Sequence, residues 1–181
     1  MLNDIKARMQ KSIASMKTDF TAIRTGRANT SVLDHVQVEY YGSMVPISQV
    51  ANLSVPEPRM IQIAPWEKKM IAPIEKAILT SDLGLNPSND GIVVRLIFPE
   101  LTGDRRKELV KQVKALSEKA RVSVRNIRRD ANDEVKKLVK DKVKSEDEGK
   151  KLEAEIQKVT DQFIAEIDHL TEHKEKEIMT L

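Results

Sequence analysis

The fold is decided by residues 109–138, which read LVKQVKALSEKARVSVRNIRRDANDEVKKL. Apolar side chains recur in this stretch every three or four residues, at Leu109, Val113, Leu116, Ala120, Val124, Ile127, Ala131, Val135 and Leu138. That spacing matches the period of an α-helix and gathers these side chains into one stripe. We therefore predict a helix from about residue 104 to residue 144, roughly 60 Å long at about 1.5 Å per residue.

Two further segments show the same amphipathic period. Their apolar residues are Ile5, Met9, Ile13, Met16, Phe20 and Ile23 in the first, and Leu152, Ile156, Val159, Phe163, Ile167 and Leu170 in the second. Residues 145–148, SEDE, match a capping box that closes one helix and opens the next, and Asn3 is a candidate cap for the first helix. No helix can bury its stripe alone, so we predict that residues 1–30 and 100–181 form an antiparallel three-helix bundle.

The intervening residues follow a different period. Alternating or short apolar runs, which are typical of strands, occur at residues 36–40, 44–47, 60–63 and 92–98. A short helix that begins near Pro73 and ends by Gly84 lies among them. We predict an α+β fold in which a small β/α/β domain, residues 31–99, is inserted into the bundle.

The chain leaves the bundle and returns to it through two short linkers. A pair of neighbouring linkers can act as a hinge between domains. The residues that we expect to form this hinge are Ala28, Ser31, Pro99, Glu100 and Leu101.

The composition is that of a folded protein in a reducing compartment. Apolar residues make up 40% and charged residues 33% of the chain, and no stretch approaches the roughly 18 apolar residues of a membrane span. Without cysteine the chain has neither a disulfide framework nor a thiolate metal site, so we expect a cytoplasmic protein. Residues 105–144 carry 15 basic and 6 acidic side chains, whereas residues 145–181 carry 5 and 11.

A stripe of arginines follows the longest predicted helix. Arg121, Arg125, Arg128 and Asn132 are spaced by four, three and four residues, and Arg129 adjoins them. The stripe is rotated by about 100° from the apolar one, so we expect it to be exposed beside the core. A guanidinium can grip a phosphate with two hydrogen bonds, which favours a polyanion as partner. The alternative is an ordinary solvated face whose charge balances the acidic third helix.

Structured RNA is the polyanion that these residues favour. Aromatic side chains that could stack on single-stranded bases do not interleave with the stripe, since Tyr40, Tyr41 and Trp66 lie in the other domain. Folded RNA, recognised by its shape and phosphates, fits better. Arg24 and Arg27 at the end of the first helix would support the contact, although cations there also complement the helix dipole.

One motif suggests catalysis. His169, Glu172 and His173 match the H-x-x-E-H pattern of one class of zinc peptidase. Leu170 belongs to the bundle stripe, however, and no pocket for a third ligand and a water is evident. No nucleophile elbow, phosphate-binding glycine loop or dinucleotide fingerprint occurs either. We expect a protein that is not an enzyme and uses no metal or cofactor, with a zinc hydrolase as the alternative that metal analysis would test.

Four runs of sequence point to one family. They are IRTGRA at residues 23–28, VEYYG at 38–42, SDLGLNP at 81–87 and VRNIRRDAN at 124–132. In this order, and spread along the whole chain, they resemble the ribosome recycling factor family. The resemblance implies a three-helix bundle that carries a small β/α/β domain on a two-stranded hinge, with an L-shaped outline similar to transfer RNA.

The resemblance also implies a function in translation. A factor of this family binds the large subunit of the post-termination ribosome and, with elongation factor G hydrolysing GTP, splits the ribosome into subunits. It implies ribosomal RNA contacts at Arg125 and Arg128, with Arg24, Arg27 and Arg106 as further candidates. Together with the stripe, the expected RNA-binding residues are Arg24, Arg27, Arg106, Arg121, Arg125, Arg128, Arg129 and Asn132. We expect a monomer that binds neither a membrane nor a small-molecule substrate.

The chain departs from the family pattern at the second linker. Residues 99–106 read PELTGDRR, where the family commonly has consecutive prolines followed by LTEERR. Losing a proline and gaining Gly103 should loosen the joint, so Gly103 joins the expected hinge residues. The competing hypothesis is a protein-binding adaptor or chaperone-like bundle that uses the acidic helix and the inserted domain on protein partners.

Overall fold

The computed structural model describes residues 1–180, which form two compact units. One unit comprises Met1–Arg24 with Thr102–Thr180, and the other, the small unit, is Thr25–Leu101. The boundaries therefore lie after Arg24 and Leu101, whereas the sequence placed them after residues 30 and 99. Residues 25–30 belong with the small unit because Ala28 is buried in its core, and the Ala28 N–H donates to the Pro58 carbonyl at 2.7 Å.

Four α-helices and six strands make up residues 1–180. The helices are α1 (Leu2–Ala22), α2 (Ile71–Thr80), α3 (Gly103–Lys140) and α4 (Glu146–Thr180). The strands are β1 (Gln37–Tyr40), β2 (Ser43–Pro46), β3 (Ala51–Glu57), β4 (Met60–Pro65), β5 (Pro87–Asn89) and β6 (Val94–Ile97). Short 3-10 helices lie in the small unit at Thr30–Leu33, Ile47–Gln49 and Lys68–Met70.

Helices α1, α3 and α4 form the three-helix bundle that the apolar periods predicted. Its antiparallel directions follow from the pairs Arg8–Asp130 and Ser12–Ser123 between α1 and α3, and Arg106–Ile178 and Ser117–Thr171 between α3 and α4. The predicted stripes supply its interior, where Met9, Ile13, Leu109, Ile156 and Ile167 are fully buried. Each such side chain contributes about 1.5–3 kcal/mol of hydrophobic stabilisation, which explains why the periods identified the bundle.

A threonine sets the start of α3. The Thr102 hydroxyl accepts a hydrogen bond from the Arg105 N–H at 3.1 Å, so Gly103 is the first residue of the helix. The structure therefore places Gly103, one of the expected hinge residues, in the first turn of a capped helix. The other expected hinge residues, Ala28, Ser31, Pro99, Glu100 and Leu101, all lie within the small unit.

The start of α4 agrees with the SEDE motif, and the start of α1 differs from expectation. Ser145 accepts a hydrogen bond from the Glu148 N–H at 3.1 Å, as a helix cap does. Asn3 lies inside α1, which already begins at Leu2, and no side chain of residues 1–180 caps it. The prediction of Asn3 as a cap was therefore wrong.

The small unit combines a hairpin, an antiparallel sheet and α2, which confirms the mixed α+β class. Strands β1 and β2 pair around Tyr41 and Gly42, both at positive φ, 48° and 81°. The four-stranded sheet has the order β3-β4-β6-β5, and every pair in it is antiparallel. Ile61 and Ile63 of β4 are buried in one core with Ile74 of α2.

Candidate nucleic-acid interface

The arginine stripe lies on α3 beside the buried face of the helix. Buried Val124 and Ile127 alternate along the chain with half-buried Arg125 and Arg128, and Arg129 is exposed. A side chain about 100° around the helix from the core still borders the neighbouring helices. The stripe was expected to be exposed beside the core, and it does lie beside the core, but Arg129 is exposed while the other four members are half-buried.

Arg121 is the member of the stripe that acidic side chains hold most firmly. Its Nε and Nη2 donate to Asp168 Oδ1 of α4 at 2.9 and 2.6 Å, and its Nη1 donates to Glu118 Oε2 at 3.3 Å. Only 22% of the side chain is exposed, against 56% for that of Asp168. Arg121 thus joins α3 to α4, which is the charge-balancing role that the sequence left open as the alternative.

Arg125 keeps more of its guanidinium at the surface. Its side chain is 43% exposed, and its Nη1 lies 3.3 Å from Glu118 Oε1 on the same helix. Exposed ion pairs of this kind contribute only about 0.2–1 kcal/mol and can open at little cost. Arg125 is therefore available to an anionic partner at the cost of its contact with Glu118.

Arg128 and Asn132, one helical turn apart, carry polar atoms that the fold leaves unsatisfied. Arg128 Nε and Asn132 Oδ1 are buried, and neither has a hydrogen-bond partner among residues 1–180. Leaving such an atom without a partner costs about 1–3 kcal/mol, so these side chains are poorly explained by stability alone. Both residues are half-buried, and Arg129 beside them is exposed.

The remaining predicted residues are dispersed. Arg24 is exposed just beyond the end of α1, in the same unit as α3. Arg27 is exposed but belongs to the small unit. Arg106 is half-buried, and its Nη1 donates to the Ile178 carbonyl in the last turn of α4. Arg106 thus satisfies a carbonyl at a helix end, which is a structural role beside the expected one.

A second group of cations on the bundle was missed in the sequence. A groove of about 540 Å³ between the end of α1 and the start of α3 is lined by Asp19, Ala22, Ile23, Arg24, Arg105, Leu109, Gln112, Leu116 and Lys119. Arg24 is thereby brought together with Arg105 and Lys119. A signal was present, because Arg105, Gln112 and Lys119 follow one another at intervals of seven residues, which keeps them on one helical face.

The histidine motif lies on the bundle surface. His169 and His173 are exposed on α4, while Leu170 between them is half-buried. Across residues 1–180, no three His, Cys, Asp or Glu side chains are grouped so that they could hold a metal ion. Nor is any helix within this range both long enough and apolar enough to cross a membrane.

Comparisons with known proteins agree with the resemblance. A family model described as Ribosome recycling factor matches residues 16–179. The chain is 57% identical over 180 residues to the ribosome-recycling factor of Lachnoclostridium phytofermentans, covering 99% of this chain and 98% of that one. It is 59% identical over 174 residues to that of Ralstonia pickettii, covering 96% and 94%.

Solved structures extend the likeness to the fold. A solution structure of the ribosome recycling factor matches with a TM-score of 0.68 and 43% identity, covering 99% of this chain and 98% of that one. A structure of the T. thermophilus ribosome recycling factor, described with E. coli elongation factor G on the E. coli post-termination complex, matches at 0.59 and 48%, covering 98% and 96%. The family model and the relatives both span nearly the whole chain, so this protein belongs to the ribosome recycling factor family.

Proposed function

We propose that this chain binds the post-termination ribosome by laying α3 on large-subunit ribosomal RNA and, with elongation factor G, separates the ribosome into its subunits. The observation that carries the proposal is the group formed by Arg125, Arg128, Arg129 and Asn132 on α3. Asp168 and Glu118 neutralise Arg121, and Glu118 also approaches Arg125, whereas no ion pair of Arg128 or Arg129 occurs within residues 1–180. This chain therefore carries unneutralised arginines with which an RNA phosphate can pair.

Folded RNA fits this surface better than single-stranded RNA or an apolar protein segment. The exposed face of α3 offers guanidinium and amide groups and carries no aromatic side chain for base stacking. The exposed aromatic residues, Tyr41 and Trp66, belong to the small unit instead. Contact with phosphates arranged by the shape of an RNA helix requires only the groups that α3 supplies.

The proposal assigns no chemical step to this chain. GTP hydrolysis is assigned to elongation factor G, and the relative described with that factor on the post-termination complex supports the partnership. We assign binding to the ribosomal RNA to the long bundle helices. Contact with elongation factor G, which moves, is assigned to the small unit. The segments that join the two units, near Arg24 and Leu101, are the proposed hinge. We also propose that the protein is a monomer and acts in the cytoplasm.

A subunit-splitting assay tests the proposal. Post-termination ribosomes are mixed with the chain, elongation factor G and GTP, and separation is followed by light scattering. We expect splitting that requires all three components, and a slower rate for Arg128→Ala. Lys158→Ala, which removes one exposed cation from α4, is the matched control and should split at the parent rate. Equal rates for Arg128→Ala and the parent would contradict the proposed RNA contact.

A further inference from the structure

Glu118 of α3 contacts two of the arginines in the stripe. Its Oε2 lies 3.3 Å from Nη1 of Arg121, and its Oε1 lies 3.3 Å from Nη1 of Arg125. The residue is separated from Arg121 by one turn of α3 and from Arg125 by two, so all three lie on one side of the helix. One carboxylate thus accepts hydrogen bonds from two guanidinium groups.

These contacts belong to a chain of alternating charges. Asp168 holds Arg121, Arg121 approaches Glu118, and Glu118 approaches Arg125. The four groups together carry no net charge. A phosphate that approaches Arg125 therefore finds the carboxylate of Glu118 already beside it. Arg128 differs, since no acidic partner of Arg128 occurs within residues 1–180.

Within this series of four charged groups, the contacts of Glu118 are weaker than the contact between Arg121 and Asp168. Both of its N–O distances are 3.3 Å, whereas Arg121 Nη2 lies 2.6 Å from Asp168 Oδ1. The Glu118 side chain is 55% exposed, so it can turn into solvent, while Arg121 is 22% exposed and remains held by Asp168. Displacing Glu118 would release Arg125 and leave the junction between α3 and α4 intact.

We propose that Glu118 occupies the place of an RNA phosphate at Arg125 in the unbound protein, and that RNA binding displaces it. A carboxylate presents two oxygens to a guanidinium much as a phosphate does. Glu118 then competes with RNA for Arg125. A polyanion that supplies no phosphate at this point gains nothing from Arg125, because Glu118 still neutralises that side chain. The inference rests on the proposed RNA contact of α3.

Charge-neutral replacement of Glu118 tests the inference. Glu118→Gln keeps the size of the side chain and removes its charge, so the variant should bind intact bacterial ribosomes about two- to fivefold more tightly, the range for releasing one exposed ion pair. Glu134→Gln is the matched control because Glu134 is also exposed on α3 but points about 180° away from Arg125. We expect the control to bind within twofold of the parent, about 0.4 kcal/mol.

A double variant separates competition from a general charge effect. If Glu118 acts through Arg125, the gain from Glu118→Gln should disappear when Arg125→Ala is already present, because the two changes then share one interaction. Equal gains from Glu118→Gln and Glu134→Gln, or a gain that persists without Arg125, would overturn the inference. Weaker binding by Glu118→Gln would also overturn it, since Glu118 would then be orienting Arg125 for RNA.

A further variant distinguishes failure of this inference from failure of the proposed function. Arg128→Ala, measured on the same ribosomes, reports whether α3 contacts RNA at all. If Arg128→Ala binds as the parent does, the proposed RNA contact fails and the inference fails with it. If Arg128→Ala weakens binding while Glu118→Gln behaves as Glu134→Gln does, the inference about Glu118 alone fails.

Discussion

Arg121 and Arg128 carry the same charge on the same helix, yet the structure predicts opposite consequences for their removal. Arg121→Ala deletes two hydrogen bonds to Asp168 and one to Glu118. Hydrogen bonds to a charged partner contribute about 1.5–3 kcal/mol when they are protected from solvent. Because Asp168 is 56% exposed and can be rehydrated, we reduce this to a loss of roughly 1–2 kcal/mol in the free energy of unfolding.

Arg128→Ala should leave stability nearly unchanged. The variant removes Nε, a buried donor that has no hydrogen-bond partner within residues 1–180. Removing this donor abolishes its desolvation cost, which offsets the packing energy lost with the aliphatic stem. We expect a change within about 0.5 kcal/mol. Ribosome binding should weaken by about 1–3 kcal/mol, the scale of a charged hydrogen bond, or about five- to 150-fold in Kd.

Thermal unfolding and ribosome co-sedimentation of the two variants measure this contrast. The helical signal in circular dichroism reports mainly on the bundle, and Arg121→Ala should lower its Tm by roughly 2–8 °C. Arg128→Ala should unfold like the parent and bind less well. The reasoning is refuted if Arg128→Ala lowers the Tm as much as Arg121→Ala, or if it binds ribosomes like the parent.

Two further predictions concern stability. Gly149→Ala should destabilise the bundle by about 1–3 kcal/mol in chemical denaturation, because a Cβ there would lie 2.6 Å from Val139 Cγ2. The control Gly103→Ala, with nothing within 4 Å of its added Cβ, should be neutral or slightly stabilising, and equal losses would contradict the packing argument. Hydrogen bonds from the N–H groups of Val93 and Ile92 lower the pKa of Asp90 from 3.8 to about 2, with a smaller contribution from Arg95. The folded state thus binds a proton less readily than the unfolded one, so this contribution is present above pH 3.8 and is lost as the pH falls through about 2. Asp90→Asn should flatten the decline of Tm between those pH values, and an unchanged decline would count against it.

The fold was predictable wherever burial imposed a period. Helices α3 and α4 each bury one stripe over many turns, so Leu109 or Ile156 could be assigned to the core without any knowledge of its neighbours. Strands β3 and β5 were missed for the opposite reason. Most of β3 is exposed and β5 has three residues, so neither leaves an apolar pattern in the sequence.

The candidate site was predictable as a stripe, and its internal pairing was not. Helical spacing places Arg121 and Arg125 on one side of α3, but the partner of Arg121 is Asp168, which lies 47 residues further along the chain. Only the packing of α4 against α3 brings the two together. In the same way, the sequence could not indicate that Arg106 contacts the Ile178 carbonyl, which lies 72 residues further along the chain.

The salt dependence of ribosome binding tests most directly whether the arginines of α3 contact RNA phosphates. Each phosphate contact that is lost should reduce the slope of log affinity against log salt by about 0.7–0.9. Removing Arg125, Arg128 and Arg129 together, each as Arg→Ala, should therefore flatten the slope by about 2–3 and weaken binding most at low salt. A triple variant whose slope equals that of the parent would show that these side chains do not face phosphates and would contradict the account.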